Sequence, residues 1–186
     1  MSKASEVPAW AKNVNVDECF SVIPDREVVR VKKFVGMSTI DAYAIDRTMH
    51  AIQREINKSY PHVDQPSTRP GGGIHIRAAR KEGRGGNGWP DGPGPGPPLP
   101  LRARLVKEFR LLVCTSHPKY RSLRTKLNKH GRDSGIIIIA IISSAMGSWL
   151  GVAAGALGGL VAVLLLALAT LGKEAFCSTV AGGMKA

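Results

Sequence analysis

The sequence predicts a mainly α protein. It reads as a small α/β or α N-terminal unit, a disordered Gly/Pro linker, basic amphipathic helices and a C-terminal transmembrane helical hairpin. Three observations carry this. Thirty-nine consecutive residues, Ser134 to Gly172, hold no charge. The block before them, 101–133, holds ten basic and two acidic side chains. Residues 64–100 are rich in glycine and proline and show no sustained period. The formal charge of the 186-residue chain is +12, yet residues 1–70 are nearly neutral, with ten basic and nine acidic groups. A local surplus of this kind seeks an anionic partner: lipid head groups, nucleic acid or an acidic protein.

The first zone, 1–63, reads as a small cytoplasmic unit. EVVRVKKFVG (27–36) is rich in β-branched residues and partly alternates, so a strand is expected there. In the stretch that follows, Ser38 and Asp41 resemble a helix start, with a short acid at the third helical position. Ile45, Met49, Ile52, Ile56 and Tyr60 then line one helical face, and Pro61 ends it. So few large apolar groups make a marginal core, which calls for a partner protein or a second copy.

The second zone, 64–100, cannot bury enough apolar surface to offset its chain entropy, and disorder is expected. Its end, Pro97 to Arg102, has the form that polyproline-binding grooves accept. Arg84-Gly85-Gly86 is a single arginine-glycine box, too little for a nucleic-acid signature.

The third zone, 101–133, carries two helical stripes, Leu101–Leu105–Phe109–Leu112 and, past Pro118, Tyr120–Leu123–Leu127. Lys119, Arg121, Arg124, Lys126, Lys129 and Arg132 surround the second. Such helices are expected to lie on an anionic membrane surface with their apolar faces inward, each cation contributing about 1 kcal/mol. Nucleic acid is the rival partner.

The fourth zone, 134–172, would make a single helix of about 58 Å, near twice the hydrocarbon thickness of about 30 Å. Two spans fit better than one long tilted span or a buried soluble core, with a tight turn near Ala154–Gly159. Trp149 then falls near the far interface. The basic block assigns the near side to the cytoplasm, so a multi-pass protein with both termini cytoplasmic is expected. A short tail, 173–186, follows.

Within GSWLGVAAGALGG, glycine recurs at 147, 151, 155 and 159. In lipid, small residues let helices approach, so Gly147, Gly151, Gly155 and Gly159, with Ser144 and Ser148 beside them, form a candidate packing seam. A homo-oligomer follows from one use of that seam; in another, the later glycines serve the turn. The charge-free stretch contains no Asp, Glu, Lys, Arg or His to mark an ion pathway.

Cys19, Cys114 and Cys177 are too widely spaced to read as a disulfide framework, which suggests a reducing compartment. Cys177, five residues past the apolar block, is a candidate for reversible acylation. Cys114, His117 and His130 supply three groups where structural zinc wants four. Asp17, Glu18, Asp41 and Asp46 read as solvent-facing or helix-capping acids. No catalytic motif is present, and neither cofactor nor enzymatic activity is expected. The functional expectation is a membrane protein that anchors and oligomerises through its hairpin and binds anionic lipid through its basic region. Membrane permeabilisation and nucleic-acid tethering are the alternatives.

Overall fold

The computed structural model describes residues 7–12, 14–37, 39–61, 99–131 and 133–183. The expected linker falls almost wholly outside them, as does Arg132. The described residues are mainly helical and contain no strand. Two short helices, α1 (Ala9–Lys12) and α2 (Val16–Phe20), lead into α3 (Asp25–Val35) and α4 (Ala42–Ser59). Further along the chain come α5 (Leu101–Cys114), a 3-10 turn at Pro118–Tyr120, α6 (Arg121–Lys129), α7 (Gly135–Leu150) and α8 (Ala154–Gly183).

The strand expected at 27–36 is instead helix α3. Its apolar residues mislead in pairs but resolve at helical spacing: Val31 and Phe34 are buried, while Val29 is 77 % exposed. Asp25 and Glu27 occupy the first turn and Lys32 and Lys33 the last, which suits the helix dipole. Burying one face outweighs the modest helix penalty of the valines.

Helix α4 starts one residue past Asp41, whose carboxylate accepts the Ala44 N–H at 2.7 Å. Asp41 is therefore the cap itself rather than the third helical residue. Ile45, Met49, Ile52 and Ile56 are buried as the stripe requires, but Tyr60 caps the C-terminus and is 47 % exposed.

One hydrophobic core runs from Trp10 to Val180. At its centre is α8, with every residue from Leu160 to Leu168 buried. Helices α4, α5 and α7 pack along it, and α1, α2 and α3 also touch it. The cover that the N-terminal helices need thus comes from within the chain. Leu101, Leu105, Phe109 and Leu112 are buried, and Phe109 meets Phe176 edge-on at 5.8 Å. Tyr120, Leu123 and Leu127 are buried too. The two apolar stripes expected to rest on lipid are occupied inside the protein.

The chain reverses between α7 and α8 at Gly151–Ala153, earlier than the expected Ala154–Gly159, which begins α8. Gly151 takes the left-handed conformation (φ 71°, ψ 32°) that favours glycine. Its N–H and that of Val152 both donate to the Gly147 carbonyl. Helix α8 breaks at Gly172 (φ 76°, ψ 166°), in a region only glycine enters readily.

Candidate functional site: an apolar helix pair and its basic flank

Helix α8 is long and apolar enough to cross a membrane by length and composition. Its uninterrupted part, Ala154–Leu171, is about 27 Å long, close to the hydrocarbon thickness. Helix α7 is equally uncharged but has 16 residues, short of the usual span. The two pack against each other.

The four registered glycines do different things. A Cβ on Gly147 would lie 2.6 Å from the Val152 carbonyl oxygen, so the α7–α8 turn requires a glycine there. Gly151 supplies the left-handed turn residue. On Gly159 a Cβ would sit 3.2 Å from Ile52 Cγ2, so α4 and α8 approach closely at that point. Gly155 faces open space. Ser144 and Ser148 are exposed on α7, and the Ser148 hydroxyl donates to the Ala145 carbonyl at 2.8 Å. These six residues therefore do not share one face: three glycines serve contacts within the chain, and Gly155 and the two serines are left outside.

The basic residues divide in the same way. Arg124 is half-buried, and its guanidinium donates to the carbonyls of Leu112 (3.0 Å), Thr115 (2.6 Å) and His117 (2.5 Å). Carbonyls at a helix end lack intrahelical donors, and a cation there also suits the dipole. Arg124 is thus the clasp that closes the end of α5. Lys119 bonds Glu108 at 2.8 Å and sets its ammonium 4.7 Å from the centre of the Trp149 ring. Tyr120 meets the same ring edge-on at 4.9 Å. Arg121, Lys126 and Lys129 are exposed, and among the described residues their side chains form no ion pair.

Cys177 is bonded to Cys114, with a Cα–Cα distance of 5.8 Å. A disulfide leaves no thiol to acylate, so the expectation for Cys177 is corrected. The inference of a reducing compartment loses its basis as well, since disulfides persist in oxidising surroundings. The bond spans 63 residues, and only the packing of α5 on α8 brings the two sulfurs together. The other groups of the incomplete zinc set are also engaged: His117 Nδ1 accepts the Lys119 N–H, and His130 pairs with Asp133 at 2.6 Å. Cys19 is fully buried, and burial, then the Glu18 carboxylate, push its thiol up to about 12.

Sequence reasoning missed one contact at the start of α7. The Glu18 carboxylate of α2 accepts the Gly135 N–H, from 117 positions away. A Cβ on Gly135 would lie 3.0 Å from that carboxylate. A carboxylate at a helix N-terminus is stabilising, and this one ties α7 to α2. Asp46 pairs with Arg102 at 2.9 Å and joins α4 to α5. The capping role expected of the acids is seen for Asp41 and Glu18, but only Asp41 caps its own helix.

The arrangement is an uncharged helix pair in which α8 is enclosed by the other helices and α7 keeps one face open, with cations on the adjoining α6 that have no ion-pair partner among the described residues. No protein family, curated protein or solved structure matches this chain.

Proposed function

We propose that this is a non-enzymatic membrane protein that keeps α8 sheathed while in water and transfers it, together with α7, into an anionic bilayer as a hairpin. One observation carries the reading. Ala154–Leu171 has the length and apolarity of a span, yet, α7 apart, the helices packed on it are amphipathic with charged outer faces. Those helices do for α8 what lipid tails would do, so the bilayer can replace them without exposing α8 to water.

Two further features support the reading. The Cys114–Cys177 bond ties the chain before the hairpin to the chain after it, so both flanks stay on one side of the membrane. Cations near an anionic leaflet each contribute about 1 kcal/mol, and Arg121, Lys126 and Lys129 have no ion-pair partner among the described residues. The excess of basic residues assigns that side to the cytoplasm, whereas the disulfide favours an oxidising side. Glycosylation at Asn57-Lys58-Ser59 in a translocating system would report the oxidising, lumenal side. Self-association in lipid falls in this reading to Gly155, Ser144 and Ser148, which the fold leaves outside its own contacts.

Protease digestion of vesicle-bound protein tests the proposal. A protected fragment containing residues 134–172, resistant to alkaline extraction, is the expected result. Absence of any protected fragment at every lipid ratio would make α8 the core helix of a water-soluble bundle, the second reading, which its burial favours. Dye release from the same vesicles separates a permeabilising protein from an anchor. Binding of RNA or DNA at near-physiological salt without vesicle binding would move the basic block to nucleic acid.

A further inference from the structure

The solvent face of α7 is unlike that of the other long helices. Helices α3, α4, α5 and α6 each present charged side chains to water. Along α7 the outward positions are Ile136, Ile137, Ala140, Ser144, Ser148 and Trp149, with Ile141 and Ala145 half-buried among them. Ile136 and Ile137 are each 43 % exposed and Trp149 is 39 % exposed. The positions recur at helical spacing, so they form one continuous uncharged stripe about half the circumference wide. The bundle covers α8 from Leu160 to Leu168 and leaves this face of α7 bare.

Charge next to the stripe identifies what it fits. Helix α6 packs on α7, anchored at one end by the Tyr120–Trp149 contact. Its exposed Arg121, Lys126 and Lys129 lack intramolecular anions among the described residues. Three acids on or beside these elements are engaged elsewhere: Glu108 by Lys119, Asp133 by His130, and Glu18 by the first N–H of α7. The side of the protein around α7 is therefore apolar with a cationic flank. A tryptophan with an ammonium over its ring marks one end, a pairing suited to the head-group level.

We propose that the outer face of α7 is the docking face for an anionic membrane surface, with α7 lying in the head-group plane and α6 supplying the cations. This deepens the membrane reading above and rests on it for the choice of occupant. It adds a separable step: the folded bundle binds flat through α7 before α8 leaves its sheath. Docking needs no unfolding, because the stripe is already exposed; insertion does.

The experiment is co-sedimentation of the full chain with vesicles of phosphatidylcholine, with and without phosphatidylserine. Ile137→Glu and Ser144→Glu place charge on exposed positions and leave the core alone; unchanged circular dichroism and melting verify this. Each is expected to weaken binding to the anionic vesicles about tenfold. The pair Lys126→Glu and Lys129→Glu is expected to weaken it further and to remove its salt sensitivity. Unchanged binding in both Ile137→Glu and Ser144→Glu would overturn the proposal. So would a wild-type dimer in solution that Ser144→Glu dissociates with no change in vesicle binding, since the face would then belong to a second copy. Protection of residues 134–172 read on the same samples separates the two ideas. Insertion that survives both α7 variants sinks the docking face alone. Binding lost in those variants, with no protected fragment in wild type, sinks insertion and keeps the face.

Discussion

Helices α7 and α8 are alike in composition and differ in surroundings. Neither carries a charge before Lys173, although only α8 has the length of a membrane span. In the fold, α8 is covered on every side from Leu160 to Leu168, whereas α7 buries Ile138, Ile139, Ile142 and Met146 and shows its other half to water. A helix that is apolar all round belongs in a core or a bilayer, and α8 can satisfy both descriptions. Helix α7 meets only half of the first. The contrast teaches that apolarity sets how much cover a helix needs, while neighbours set how much it receives.

The largest effect that could break this comparison comes from placing a charge in each helix. Leu164→Asp puts an unpaired carboxylate at the centre of the core, where the wild-type side chain is fully buried. Loss of the cooperative fold is expected, a cost of more than about 5 kcal/mol. Ser144→Asp on the bare face of α7 should stay within about 0.5 kcal/mol of wild type. Thermal melts followed by circular dichroism measure both, and equal shifts would mean that the two helices are not differently buried.

The disulfide ranks next, because it holds the end of α5 against α8 beyond the Gly172 break. Closing a loop between positions 63 apart stabilises by about 4 kcal/mol in the chain-entropy account. Cys114→Ser should lower the midpoint of denaturant unfolding accordingly under non-reducing conditions. A reductant should bring wild type to the same midpoint and leave the variant unmoved.

Glycine substitutions sharpen the comparison at the junction of the two helices. Gly147→Ala drives a methyl into the Val152 carbonyl and should cost about 2 kcal/mol. Gly158 lies within α8 with open space beside it, so Gly158→Ala should instead stabilise by up to about 1 kcal/mol. Opposite signs in urea unfolding are the expected result. Destabilisation by both would mean that the glycines form a common seam after all.

The smallest effect separates structural from surface cations. Arg124→Ala removes three bonds to the carbonyls around the end of α5 and should cost about 1 kcal/mol. Lys126→Ala should leave the melting temperature unchanged and weaken binding to anionic vesicles. If Arg124→Ala melts like wild type, its guanidinium belongs with the surface cations.

Legibility followed the range of the interaction. The stripes of α4 and α5 could be read directly, because a period of three or four residues is local. Helix α3 could not, since its valines suit a strand until Val31 and Phe34 find the core. The position of the turn is not local information, because Gly151, Gly155, Gly158 and Gly159 all suit one, and the choice of Gly151 rests on the packing of α7 against α8. At the candidate site, the uncharged block and its basic flank were visible at once. The clasp role of Arg124 was not, because nothing in RSLRTKLNK distinguishes one cation from the next. The Cys114–Cys177 pair and the Glu18–Gly135 contact join residues 63 and 117 positions apart, beyond any local pattern.

The sequence by itself determined that residues 134–172 form an uncharged, largely apolar block, that a cationic block precedes them, and that amphipathic helices are available to cover them. These are properties of single residues and their spacing, and they hold whatever the chain folds into. Only the tertiary structure decided which apolar surface is covered and which is left bare. It seated α8 at the centre, left one face of α7 open, and spent Arg124, Gly147 and Cys177 on internal contacts. The physical reason is that the cost of exposing an apolar group belongs to the group, whereas its relief belongs to the neighbours that fold against it.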